Sequence, residues 1–246
     1  MNLRNDRATW IKGGPAQCSI PPKLRLQPPR LVLLGAPGIG KGTQAEYLCT
    51  GLEICHLATS DVLRAARCLA DDERTPAMTE ALQHMQHGEV VPDQTVLNLL
   101  NERLACLRCR GGFLLDGFPQ TVAQARALEN FLRDEQLHLD AVLNYSLPFE
   151  VVVKRLSARR TCQECRAVFH LEAHPPQTAD VCDYCGGILA QHEDDLPEAV
   201  TARILAYEKA TKPLIEFYVG RGLLRTISAE GSPERIYQRT LAILDP

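Results

Sequence analysis

Residues 31–43 read Leu31-Val32-Leu33-Leu34-Gly35-Ala36-Pro37-Gly38-Ile39-Gly40-Lys41-Gly42-Thr43. The first four residues form a continuous apolar run, which is typical of a strand buried on both faces of a parallel sheet. A helical pattern then continues to Leu48, so the glycines lie between a strand and a helix. The stretch therefore predicts a strand, a glycine-rich turn and the N-terminus of a helix.

The glycine-rich turn has the spacing of a phosphate-binding loop, Gly35-x4-Gly40-Lys41. Glycines let backbone N–H groups point at phosphates, and the helix N-terminus adds a partial positive charge. Lys41 can contact the β and γ phosphates as a point charge. The usual Lys-Ser/Thr ending is altered, because Gly42 precedes Thr43. A tight connection without a ligand is the alternative, but the flanking strand and helix favour nucleotide binding by Gly38, Ile39, Gly40, Lys41, Gly42 and Thr43.

Three further apolar runs predict strands, at 113–116, 141–145 and 223–227. Helical patterns such as 121–133 and 200–218 separate them. Alternating strands and helices indicate an α/β fold, a P-loop NTPase-type parallel sheet flanked by helices. Asp116 ends the second strand, where an acid can hold Mg²⁺ through water. A turn or capping role is the alternative, because Gly117 and Pro119 follow.

Four of the ten cysteines form two pairs at metal-ligand spacing, with 16 residues between the pairs. Four thiolates leave no open coordination position, so we expect structural zinc, not catalytic zinc. Two disulfides or an iron–sulfur cluster are the alternatives. The predicted ligands are Cys162, Cys165, Cys182 and Cys185.

Composition narrows the class of protein further. A net charge of -3 argues against a dedicated nucleic-acid binder, and no apolar run approaches the ~18 residues that span a membrane. The charged N-terminus has no secretory pattern, so we expect a reduced, cytoplasmic protein. Residues 1–29 are rich in proline and predict a disordered or extended tail, in which Trp10 either docks or has no role.

Together these motifs resemble the adenylate kinase family, in its long form with a zinc-binding lid. Residues 35–45 resemble the family's phosphate loop, 56–64 its monophosphate-binding motif, and 112–119 its strand and turn with the magnesium-associated acid. The lid and its return helix are matched by Arg155-x3-Arg159-Arg160, the four cysteines, Asp194-Asp195 and Arg203-x3-Tyr207-x5-Pro213-Leu214. The resemblance implies a core at 30–246, with a helical monophosphate-binding insertion at 60–91 and a zinc lid at 158–196.

The resemblance implies a reversible reaction in which ATP and AMP give two ADP, with Mg²⁺ as cofactor, and we expect a monomer. Phosphoryl transfer depends mainly on positioning and on cations that offset charge. The implied ATP ligands are the loop with Lys41, Arg155 on the base, and Arg159 and Arg203 on the phosphates. The implied AMP ligands are Arg64 on the phosphate, and Thr59, Val91 and Gln124 at the base.

Three positions depart from the family pattern. Gln120 replaces an arginine after the Gly-Phe-Pro turn, His192 replaces an arginine before the paired aspartates, and Ser60 replaces a glycine. One stabilising arginine is worth ~10³ or more in rate, so we expect a slow kinase. A degenerate nucleotide-binding relative, a kinase for another monophosphate, and a zinc-based nucleic-acid binder are the alternatives.

Overall fold

The computed structural model describes residues 10–11, 28–87, 89–108, 111–165, 167–172, 175–191 and 195–244, apart from the side chain of Arg203. In these residues the strands are β1 (Arg30–Leu34), β2 (Cys55–Ala58), β3 (Phe113–Asp116), β4 (Ala141–Ser146), β5 (Arg159–Cys162), β6 (Val168–His170), β7 (Leu189–Ala190) and β8 (Leu224–Ser228).

From Lys41 onward, the same residues form nine α-helices. They are α1 (Lys41–Leu52), α2 (Thr59–Cys68), α3 (Pro76–Gln86), α4 (Asp93–Asn101), α5 (Leu104–Leu107), α6 (Val122–Asp134), α7 (Phe149–Ser157), α8 (Pro197–Val219) and α9 (Pro233–Leu244).

The main sheet contains five parallel strands in the order β2-β3-β1-β4-β8. This arrangement confirms the predicted α/β class and the four strands expected from the apolar runs. It also shows a strand that the sequence reading missed, β2, at one edge of the sheet. Because all five strands are parallel, their carboxyl ends lie along one edge, where ligands of open α/β sheets bind.

Strand β1 shows why its sequence is continuously apolar. Successive side chains of a strand point to opposite faces. Leu31 and Leu33 belong to a core cluster with α1 and α9, and Val32 and Leu34 belong to a second cluster on the other face. Both faces are therefore covered by helices, and the loop after β1 leaves a rigid, buried strand.

Two segments of the chain lie outside the main sheet. Between β2 and β3 the described chain forms α2, α3, α4 and α5, and this part contains the predicted insertion at 60–91. Between α7 and α8 it forms a small antiparallel sheet in the order β6-β5-β7, inside the predicted lid at 158–196. No described helix combines the length and apolarity needed to cross a membrane.

Candidate active site

The loop after β1 has the backbone that its glycines predict. Gly38 and Gly40 have φ angles of 79° and 97°, in the region that favours glycine. A Cβ on Gly38 would lie 2.3 Å from Leu156 Cγ, so this position also lacks room for a side chain. Gly40 precedes α1, which starts at Lys41 and has no acidic residue in its first turn. The helix N-terminus is therefore open to an anion.

Lys41 lies over this loop. Its Nζ donates to the carbonyl oxygens of Gly35, at 2.6 Å, and Ala36, at 3.1 Å. Burial lowers the pKa of Lys41, and the charge of Asp116 acts in the opposite direction. The lysine is thus close enough to the acid for their charges to interact.

Asp116 ends β3 in register with Leu33 of β1. Its carboxylate lies 3.4 Å from His56 Nε2, and its carbonyl oxygen accepts a hydrogen bond from Thr59 Oγ1 at 3.4 Å. Gly117 follows with a φ of 81°, and a Cβ there would lie 2.6 Å from Thr59 Oγ1. The turn after β3 therefore fixes Thr59 beside the acid.

A hydrogen-bonded group of side chains surrounds the next turn. Gln124 is buried; its Nε2 donates to Asp93 Oδ1 at 2.7 Å, and its Oε1 accepts from the Gln120 N–H at 2.8 Å. Thr121 Oγ1 also donates to Asp93, at 2.8 Å. The side chain of Gln120 is exposed and donates to Gly117 O. These contacts bring Gln120 and Gln124 next to the Asp116 turn.

The other predicted acceptor residues lie on the insertion. Arg64, on α2, is paired with Asp61 at 2.9 Å, and its side chain is 73% exposed. Because the arginine side of this i,i+3 pair is exposed to solvent, the pair is weak, and the guanidinium can turn to a phosphate. Val91 is half-buried against the core cluster, shortly before α4.

Two of the predicted donor-side arginines have partners. Arg159, at the start of β5, makes a bidentate pair with Asp195, with both N···O distances at 2.7 Å. Arg155, on α7, donates to Ala229 O at 3.1 Å, just after β8. Burial lowers the pKa of Arg155, and Glu230 raises it. The side chain of Arg203 and the whole of His192 lie outside the described residues.

The four predicted cysteine ligands form one group in the lid. Their Sγ atoms all lie within 4.8 Å of one another, and the two closest pairs are 3.4 and 3.5 Å apart. A tetrahedral zinc with Zn–S bonds of about 2.3 Å needs sulfurs about 3.8 Å apart. Disulfides need about 2.05 Å, so that alternative is wrong. The donors fit one metal ion.

The lid backbone explains this clustering. The N–H of Cys182 donates to Gly187 O, and the N–H of Gly186 donates back to Cys182 O. Gly186 has a φ of 73°, and a Cβ on Gly187 would lie 3.0 Å from Cys162 Sγ. The two glycines therefore allow the tight turn that places the second cysteine pair against the first.

The sequence reading did not assign roles to three supporting residues. Asp93 orients Gln124, and Asp195 orients Arg159. Tyr207 Oη, on α8, accepts the Gly35 N–H at 2.7 Å and so joins the return helix to the phosphate loop. Burial raises the pKa of Tyr207. Only their places in the family motifs drew attention to Asp195 and Tyr207.

Comparison with known proteins agrees with this geometry. The family model described as adenylate kinase matches residues 33–223. An adenylate kinase of Thermodesulfovibrio yellowstonii is 43% identical over 216 residues, covering 88% of this chain and 99% of the relative. An adenylate kinase of Caldicellulosiruptor saccharolyticus is 45% identical over 205 residues, covering 83% of this chain and 93% of the relative. An adenylate kinase of Streptomyces griseus is 44% identical over 216 residues, covering 87% of this chain and 97% of the relative. The chain belongs to the adenylate kinase family.

Proposed function

We propose that this protein catalyses reversible phosphoryl transfer between ATP and AMP, giving two ADP. The observation that supports the proposal is that Lys41, after β1, and Asp116, at the end of β3, both lie at the carboxyl edge of the parallel sheet. That edge is where nucleotides bind in open α/β sheets.

The donor side supplies phosphate contacts. The N–H groups after Gly38 and the N-terminus of α1 would hold the ATP phosphates, and Lys41 would exchange its carbonyl partners for phosphate oxygens. Asp116 would hold Mg²⁺ through water, and the ion supplies charge neutralisation when bound. Arg155 would pack on the ATP base, and Arg159 and Arg203 would contact phosphates.

The acceptor side favours adenine. Asp93 only accepts hydrogen bonds and the Gln120 N–H only donates, so together they fix the orientation of the Gln124 amide. One Nε2 hydrogen and one Oε1 lone pair then remain. That pair of groups matches the donor and acceptor of an adenine edge. Thr59 and the backbone near Val91 would complete the base site, and Arg64 would hold the AMP phosphate.

The metal of the lid is zinc in this proposal. Four thiolates suit Zn²⁺ and leave no position for substrate, so the ion stabilises the lid and takes no part in the reaction. A cluster of several iron atoms would hold its four sulfurs farther apart than one ion does. Loss of the ion would leave a lid whose described core is only Cys162, Phe169, Cys182 and Leu189, with Ala167 beside it.

The reaction is slow in this proposal. Gln120 is placed beside the acceptor base site but brings no positive charge to the transferred group. His192 brings charge only when it is protonated, below a pH of about 6.5. A degenerate nucleotide-binding protein is the second candidate, favoured by the same two residues. Ser60, beside the acceptor motif, motivates a third, a kinase for another monophosphate. We also propose a cytoplasmic monomer without a nucleic-acid or membrane partner.

The test is coupled ADP formation from ATP with AMP, CMP, UMP or GMP, with Mg²⁺ and zinc-loaded protein, at pH 6 and pH 8. We expect turnover with AMP, and a higher rate at pH 6 if protonated His192 contributes. Measurable ATP binding without turnover for any acceptor would favour the degenerate protein. Turnover with another monophosphate in preference to AMP would contradict the assignment of Gln124.

A further inference from the structure

Trp10, the only tryptophan of the chain, is docked in the core. Its side chain is 2% exposed, and its Nε1–H donates to Ala58 O at 2.8 Å. Ala58 ends β2 and directly precedes α2. The match to the family model begins only at residue 33, so Trp10 lies outside the part of the chain that this match covers.

Arg103 binds the backbone of residues 10 and 11. The residue is 1% exposed; its Nε donates to Trp10 O at 2.6 Å and its Nη2 donates to Ile11 O at 3.2 Å. Nη1 donates to Leu99 O and to the Glu102 carboxylate, at 2.6 and 2.9 Å. A buried guanidinium without partners is costly. Two of these four interactions come from residues 10 and 11, so these residues complete a site within the fold.

The indole lies behind the proposed acceptor site. The space around it is lined by residues of α2 and α4 and by the turn after β3: Thr59, Val62, Val96, Leu99, Leu100 and Phe118. Thr59 is the first residue of α2, and Phe118 directly follows Gly117. Trp10 thus shares a cavity with residues from both sides of the junction at which the insertion leaves the sheet.

We propose that Trp10 is a positioning residue for AMP. The indole fills the space behind Thr59, and its hydrogen bond fixes Ala58, so that the start of α2 is held against the turn that bears Gly117. Without it, α2 and α4 can move together into that space and displace Thr59. The inference rests on the proposed function, because it takes Thr59 to be part of the acceptor site.

The expected effect is selective for the acceptor. If only a fraction of the protein holds Thr59 correctly, the apparent Kd for AMP rises by the inverse of that fraction. A competent fraction of about one tenth gives about a tenfold weaker Kd. The phosphate loop and Arg155 lie elsewhere, so the Kd for ATP should change less than about twofold. A general loss of stability would not separate the two nucleotides in this way.

The experiment compares Trp10→Ala and Trp10→Phe with a matched control, Leu128→Ala, in the full-length, zinc-loaded protein. Leu128, on α6, is fully buried in the same core cluster but does not line the space around Trp10. Calorimetric titration gives the Kd for AMP and for ATP, and steady-state kinetics gives KM and kcat. We expect Trp10→Ala to weaken AMP binding about tenfold and Trp10→Phe to fall between it and the wild type. Leu128→Ala should keep the wild-type Kd.

The emission of Trp10 gives an independent measurement in the wild-type protein. All tryptophan emission comes from Trp10, because the chain has no other tryptophan. AMP should change this emission, because Trp10 lines the same cavity as Thr59, and ATP should not. If both Trp10 variants bind AMP as Leu128→Ala does, the inference is wrong, although the wild-type protein still turns over AMP. If the wild-type protein binds no AMP, the proposed function and the inference are both wrong. If Trp10→Ala does not fold, Trp10→Phe alone decides.

Discussion

Gln120 is the position at which one substitution should most increase the activity of this enzyme. Its side chain is exposed and makes one hydrogen bond, from Nε2 to Gly117 O at 2.9 Å. Its backbone N–H is bonded to Gln124 Oε1, and any residue except proline keeps that contact. Gln120→Arg therefore places a guanidinium beside the Asp116 turn without burying a charge and without removing a backbone interaction.

The substitution changes two quantities, the free energy of unfolding and the rate of phosphoryl transfer. Losing one exposed neutral hydrogen bond costs at most about 1 kcal/mol of unfolding free energy. A well-placed arginine stabilises the charge of a phosphoryl-transfer transition state by 10³-fold to 10⁵-fold, or about 4 to 7 kcal/mol. The wild-type glutamine already donates a hydrogen bond, and His192 leaves a second arginine missing. We therefore expect a gain in kcat of about 10²-fold to 10³-fold.

The assay is ADP formation with saturating ATP, AMP and Mg²⁺, with two matched variants at the same position. Gln120→Lys adds charge without the planar fork of donors, and Gln120→Met adds neither. We expect kcat to decrease in the order arginine, lysine, wild type, methionine. Equal rates for the arginine variant and the wild-type protein, at unchanged unfolding free energy, would refute the reasoning and show that another group stabilises the transferred phosphoryl. Adding His192→Arg should raise kcat further.

Three other predictions concern groups around the site. Cys185→Ser should abolish binding of one zinc per chain and make residues 158–196 sensitive to protease, as chelation of the metal also should; a dye assay measures the zinc. Asp195→Asn removes the buried charge opposite Arg159, which is 34% exposed and can be hydrated, so the unfolding free energy should fall by about 3 kcal/mol or less in a denaturant titration. Burial raises the pKa of Tyr145 to about 12, so the unfolded chain ionises first and stability should fall by up to about 3 kcal/mol between pH 10 and 12. Tyr145→Phe should flatten that part of the pH profile.

The features that the sequence predicted are those with short-range causes. The strand, glycine turn and helix at 31–43 are contiguous, and each cysteine pair spans one turn, so spacing alone indicates both sites. Strand β2 was missed because it has only four residues, Cys55–Ala58, and lies at the edge of the sheet with two of them half-buried. A short edge strand leaves little apolar pattern to detect.

The supporting contacts could not be predicted, because they join residues far apart in the chain. Asp93 orients Gln124 across 31 residues, Asp195 orients Arg159 across 36, and Tyr207 reaches Gly35 across 172. Asp93 looks like an ordinary polar residue of a helix in the sequence, and the family motifs drew attention to Asp195 and Tyr207 without showing their partners. Only the folded chain shows which polar group each of them contacts.

These supporting contacts bear on the choice between a weakened kinase and a protein that has lost the reaction. In the proposed function, Gln124, Arg159 and the phosphate loop contact the substrates, and Asp93, Asp195 and Tyr207 hold these three groups in place. All three contacts are present. Gln120, which stands where the family has arginine, is an exposed side chain that takes part in none of them. On the proposed function, the groups that position the substrates are kept and a positive charge is missing, so we expect that restoring one guanidinium recovers much of the rate.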